Sequence, residues 1–226
     1  MDITRVCFIC CNTYVTPKYK LGVGPLNDSI TVAANLKMKG FFIYFLHNPK
    51  GQKFLDYLTM FLQKTSEHLT VYYTGHGASI PDKNGDESDG LDEVMIFDDG
   101  IVVDDKLVEL IKKHATGRAK ITLLNDCCHS GTIWDLPTDP KKAMKFPPNI
   151  VCISAAKDNQ TAKQAKQRSN DQGLFTFFVF QEVRRNPNLT PKELQKIISE
   201  QLKKYKQTCL ITPTRQELMN VPIFPS

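Results

Sequence analysis

The chain has 226 residues, 41% apolar and 23% charged, an ordinary balance for a globular protein and enough length for one α/β domain with a full core. Its net charge of +5 is not gathered into a basic stripe with interleaved aromatics, which argues against nucleic acid as a partner. No apolar stretch approaches the roughly 20 residues of a membrane helix, and the start, MDITRVCFICC, lacks the charged and long apolar regions of a signal peptide.

These features lead to the expectation of an intracellular protein, cytoplasmic with the nucleus also open, whose seven cysteines are thiols rather than disulfides. In chain order, Arg5–Cys11 (RVCFICC) reads as a first strand. A zinc or redox site on Cys7, Cys10 and Cys11 is the weakest alternative, because no second cysteine pair follows at finger spacing. Asn27–Gly40 predicts a helix with Ile30, Ala33, Ala34 and Met38 on its apolar face and Gly40 as its C-cap. Phe41–Leu46 is a second strand, and Gly51–Glu67 a helix with Phe54, Leu55, Leu58, Phe61 and Leu62 on one face. His68–Thr74 is a third strand, followed by a polar, acidic loop at Ala78–Asp92.

A helix at Asp104–Ala115 leads to a strand at Lys120–Asp126, a short joint at Thr138–Pro148 and a strand at Asn149–Ala155. A polar, basic loop at Lys157–Gly173 precedes a helix at Gly173–Asn186. In the last helix Thr190 is the N-cap, Pro191 the first position and Glu193 the capping-box partner, with Leu194, Ile197, Ile198 and Leu202 inward. The strands are short and almost continuously apolar, as strands buried on both faces are. The prediction is one α/β domain over 1–226, with a mostly parallel sheet and helices on both faces. Structureless loops as long as these two are usually functional.

In open α/β sheets, sites gather beyond the carboxyl ends of strands. YYTGHG places His76 just past the third strand, and NDCCHSG places Cys127 and Cys128 just past the fourth. A histidine and a thiol meeting at one sheet edge is what nucleophilic catalysis requires, since the thiolate attacks and the imidazole moves the proton. Gly75 and Gly77 leave room for a substrate backbone, with N–H groups available to an oxyanion. A lone GHG is more often a turn, and CC after a strand more often packing. The joint pattern is less readily accidental, and its spacing, 76 to 128, is close to the roughly 50 residues that separate histidine from cysteine in caspases.

YYTGHG and NDCCHSG resemble the two signature motifs of the metacaspases, caspase-like cysteine peptidases in which they usually read YSGHG and DSCHSG. The similarity extends to GVGPLNDSITVAANLKMKGF, to the acidic GDESDGLDEVMIFDDGIVVDD, and to ISAAKDNQTA and GLFTFFVFQEVRRNPNLTPKEL. It implies a caspase–haemoglobinase fold with a large-subunit-like region (1–137), the joint (138–148) and a small-subunit-like region (149–226). By resemblance His76 and Cys128 are catalytic, with Cys127 a neighbour, and Gly77 and Cys128 supply oxyanion N–H groups. Asp28 and Asp126, with Thr74 in place of the usual serine, line the specificity pocket. A carboxylate pair there selects Arg or Lys and disfavours Asp; the plainer alternative for Asp28 is a helix cap.

The resemblance further implies calcium activation through Asp92, Asp104, Asp105 and Asp135, with Asp89 as the alternative to Asp92. The acids between 82 and 105 supply the oxygen donors calcium prefers, although charge density by itself more often means a solvated loop. Pro25 departs from the family's cysteine, and the expectation is a minimal, type I-like member without a proline-rich or zinc-finger prodomain. Lys141, Lys142 and Lys145 are weak self-cleavage candidates in the joint. The expected protein is a monomer acting on protein or peptide substrates, without an organic cofactor; the rival reading is a non-catalytic caspase-fold scaffold.

Overall fold

Residues 3–82, 90–127, 133–155, 164–167, 170–205 and 207–225 are described in the structure, a computed structural model. The chain opens with β1 (Ile3–Cys11), α1 (Gly24–Met38), β2 (Phe42–His47), α2 (Gly51–Lys64) and β3 (Thr65–Thr74). Three short strands follow, β4 (Gly77–Pro81), β5 (Leu91–Phe97) and β6 (Gly100–Val103), then α3 (Asp104–His114) and β7 (Lys120–Asp126). The second part comprises α4 (Pro140–Ala143), β8 (Ile150–Ser154), β9 (Gln164–Gln167), β10 (Asn170–Gly173), α5 (Leu174–Arg185), α6 (Pro191–Lys203) and β11 (Leu210–Pro213).

Six strands form the central sheet in the order β11-β8-β7-β3-β1-β2. All neighbours are parallel except β11, which runs antiparallel to β8. Alternation along each strand divides the core into two layers. Val6, Phe8 and Cys10 of β1 pack with Val71 and Tyr73 of β3 and with Phe54, Leu58 and Phe61 of α2. Cys7, Ile9 and Cys11 face the other way, with Tyr72, Val32 and Leu36 of α1, and Phe175 and Val179 of α5. The cysteines of the first strand are therefore packed thiols: Cys7, Cys10 and Cys11 are all fully buried. Burial raises each thiol, Cys11 to about 11.

Three expectations need correction. The apolar face assigned to α1 is the wrong one: Ile30 is 65% and Met38 76% exposed, while Val32 and Leu36 are buried beside Asp28, Ser29 and Asn35. The true inner face is partly polar because its polar groups find partners, Ser29 and Asn35 within the helix. Ser29 Oγ donates to the Pro25 carbonyl (2.7 Å) and Asn35 Nδ2 to the Thr31 carbonyl (2.7 Å). Ala78–Asp92 is not structureless, since its ends form β4 and the start of β5, which pair antiparallel within a three-stranded sheet. Lys157–Gly173 likewise contains the antiparallel pair β9–β10. β9 and β10 carry no apolar alternation, so periodicity could not reveal them, whereas β5 is marked by the apolar run Val94–Phe97. Gly40 does end α1, with φ +78°, and α6 carries the full capping box of Thr190 and Glu193.

Candidate active site

The carboxyl ends of β1, β3 and β7 lie side by side, with Cys11 opposite Thr74 and Thr74 opposite Asp126. His76 follows two residues beyond that row. Cys128, two residues beyond Asp126, lies outside the described residues, as does Asp89.

His76 is half-buried and held on several sides. Its Nε2 lies 2.8 Å from the Tyr19 carbonyl oxygen. A carbonyl can only accept, so Nε2 carries the proton, and in the neutral ring Nδ1 has the free lone pair. The Tyr14 ring stacks on the imidazole, centroids 5.0 Å apart, and the Tyr14 hydroxyl accepts from the His76 backbone N–H at 2.5 Å. Tyr73 donates its hydroxyl proton to the His76 carbonyl (2.8 Å) or to that of Ile96 (3.0 Å). Gly75 is required by this crowding: a Cβ there would stand 2.6 Å from the Tyr14 hydroxyl. Gly77 follows as the first residue of β4, paired with Met95.

Tyr14 adopts φ +61°, uncommon for a non-glycine residue. Asn48 supports this turn, its Oδ1 accepting from the backbone N–H groups of Thr13 (2.8 Å) and Tyr14 (3.0 Å). The roles of Tyr14 and Tyr19 escaped the sequence, because their contact with His76 spans roughly 60 residues of chain. The unusual density of tyrosine around TYVTPKY was the available signal.

Asp28 and Asp126 come together. Both are buried, at 3% and 9% exposure, and among the described residues neither has a basic partner. They converge on the start of α5. Both Asp28 oxygens lie 2.9 Å from the Gly173 N–H, and Asp126 Oδ2 accepts from the Thr176 hydroxyl at 2.7 Å. Burial, then the Asp126 charge, pushes the Asp28 carboxyl from its ordinary 3.8 up to about 8. Burial likewise raises Asp126, opposed by its bonds from Thr176. Asp28 lies inside α1, whose N-cap is Val23, so the helix-cap alternative does not hold. Thr74 is buried next to the pair, its side chain bonded to that of Tyr72.

The acids assigned to calcium are only partly brought together. Asp104 opens α3, is 2% exposed, and accepts from the backbone N–H groups of Glu93 (2.9 Å) and Asp105 (2.8 Å). Burial raises its carboxyl to about 6, with the charges of Asp92 and Asp105 adding to the effect and the two backbone bonds opposing it. Asp92 and Asp105 line a cavity of about 390 Å³ with Glu109, Lys106, Ile80, Ile101 and Val103. Asp135, at φ +37°, follows the buried Trp134. Among the described residues no three His, Cys, Asp or Glu side chains converge on a point suited to a metal ion. Carboxylates are the donor type that a hard cation takes, and Asp104 meets the like charges of Asp92 and Asp105.

Residues 4–219 match the family model described as the caspase domain, peptidase C14. Metacaspase-1 of Saccharomyces cerevisiae is 38% identical over 90 residues, which is 38% of this chain and 21% of that protein. Metacaspase-1A of Aspergillus niger is 26% identical over 202 residues, 63% of this chain and 50% of that one. The chain thus spans half or less of the length of these relatives. Caspase-1 of Spodoptera frugiperda superposes with a TM-score of 0.69 over 95% of this chain and 90% of that one, at 11% identity.

Proposed function

This chain belongs to the caspase domain family of C14 peptidases, and from that premise we propose that it is a cysteine endopeptidase cleaving after arginine or lysine. The observation that supports the reading is the shared strand edge: Thr74, two residues before the braced His76, is in register with Asp126, whose carboxyl is buried with that of Asp28 and, among the described residues, has no basic partner. A guanidinium or ammonium entering there gains charge-assisted hydrogen bonds, whereas an aspartate meets like charge away from water.

In the proposed reaction the Cys128 thiolate adds to the carbonyl carbon after the basic residue. The backbone N–H groups of Gly77 and Cys128 receive the oxyanion. His76, whose Nδ1 has taken the proton of the Cys128 thiol, gives that proton to the leaving amine while Nε2–H stays on Tyr19. As the C–N bond breaks an acyl-enzyme remains, and Nδ1 then takes a proton from water, whose oxygen displaces the thiolate. Asp92, Asp104, Asp105 and Asp135 would hold a calcium ion, whose charge would neutralise the acids between β5 and the start of α3. The proposed enzyme acts as a monomer, in the cytoplasm, on protein or peptide substrates.

The test is hydrolysis of fluorogenic peptides ending in Arg, Lys or Asp, in millimolar calcium and in chelator. Calcium-dependent cleavage after Arg or Lys is expected. It is expected to vanish in Cys128→Ala and largely survive in Cys127→Ala, since Cys127 is buried. Cleavage after Asp refutes the pocket, equal loss in both cysteine variants refutes the nucleophile, and full activity in chelator refutes the metal.

A further inference from the structure

The two pocket acids are held by neither of the elements that carry them. Asp28 comes from α1 and Asp126 from the end of β7, yet each accepts from the N-terminal end of α5. That end offers free N–H groups and positive potential, so it favours nearby carboxylates. Asp126 accepts from both the backbone and the side chain of Thr176. The Thr176 proton is committed to Asp126, so at the 2.9 Å contact with the Tyr72 hydroxyl the tyrosine is the donor. A chain of fully buried hydroxyls, Tyr72 to Thr176 to Asp126, therefore ends on the pocket.

Gly173 completes the arrangement. A Cβ on it would stand 3.0 Å from Asp28 Oδ2 and would collide with Asp126 Oδ2. Both carboxylates thus reach the same point beside the glycine, the space a side chain would take. A carboxylate has about four lone-pair sites. Thr176 occupies two on Asp126 and leaves the remainder for a cation.

Building on the Arg/Lys reading above, we propose that Thr176 is a positioning residue for recognition of the basic side chain: its hydroxyl, backed by Tyr72, holds Asp126 aimed beside Asp28, and Gly173 lets the two acids converge. Thr176 touches no reacting atom in this scheme, so its loss weakens binding of the basic residue and spares the chemistry. Without the hydroxyl, Asp126 retains its proton to higher pH. The titratable groups around the pair among the described residues are Tyr72 and Cys11, both held neutral by burial.

The experiment compares wild type, Thr176→Val and Thr176→Ser on a peptide ending in Arg, in calcium, from pH 6 to 9. Valine keeps the shape and deletes the hydroxyl; serine keeps the hydroxyl. The expected result is a KM raised about tenfold in Thr176→Val, the equivalent of one hydrogen bond to a charged group. Its kcat stays within about twofold, the KM gap narrows toward pH 9, and serine restores wild-type KM. An unchanged KM, a loss confined to kcat, or a loss that serine does not restore overturns the proposal. If Thr176→Val does not fold, Tyr72→Phe carries the test, because it removes the donor behind Thr176; an unchanged KM there overturns the proposal equally. A wild type that does not cleave after Arg or Lys refutes the pocket reading itself, whereas cleavage with unaltered variants refutes this inference alone.

Discussion

Asp28 charges at a cost that depends on pH. Its carboxyl lies at about 8 in the folded protein against an ordinary 3.8. Between about pH 4 and pH 8 the folded state therefore keeps a proton that the unfolded chain has released. Stability is fully present below the lower value and is lost as pH rises through the upper one. Asp28→Asn removes this part of the slope. Its melting temperature should exceed that of wild type at pH 8 and converge with it near pH 4, read from thermal unfolding at several pH values. Parallel curves would show that Asp28 does not titrate in that window. At the same scale, the Tyr19 carbonyl selects the histidine tautomer without offering a side chain to delete, so its role is hidden from substitution and visible only in geometry.

At the scale of the element, α1 shows how an amphipathic reading fails. Ile30 and Met38 recur at helical spacing but face outward, and the inner stripe mixes Val32 and Leu36 with Asp28, Ser29 and Asn35. That stripe serves both the core and the pocket, so it could not be wholly apolar. Leu36→Ala should cost about 2–5 kcal/mol, as deletion of a fully buried side chain does. Met38→Lys should change stability by less than about 0.5 kcal/mol. Denaturant unfolding of the two variants decides this, and a larger cost for Met38→Lys would reverse the assigned faces. In α2 the apolar stripe Phe54, Leu55, Leu58, Phe61 and Leu62 is fully inward, because that helix has only packing to do.

At the scale of the whole molecule, the joint between the two regions is tied down. Arg215, near the C-terminal end, donates to the carbonyls of Ala143 (2.7 Å) and Phe146 (3.4 Å), and both of those residues are buried. Lys141, Lys142 and Lys145 project from this anchored segment as exposed side chains. Arg215→Ala should therefore speed limited tryptic cleavage at these lysines several-fold while the rest of the domain stays intact; an unchanged rate would show that the tether does not restrain the joint. The five principal parallel strands, the capping box of α6, and the placing of His76 and Asp126 at strand ends were all legible in the sequence alone. They rest on local chemistry, namely apolar runs, caps and turns, that any window of neighbouring residues displays. Only the tertiary structure revealed the inner face of α1, the two small antiparallel pairings, the Tyr14 and Tyr19 brace on His76, and the anchoring of Asp28 and Asp126, a pair the family resemblance had implied, on the N-terminus of α5. Each of these joins residues far apart in the chain or replaces apolar contact with hydrogen bonds, and neither leaves a periodic trace for the sequence to show.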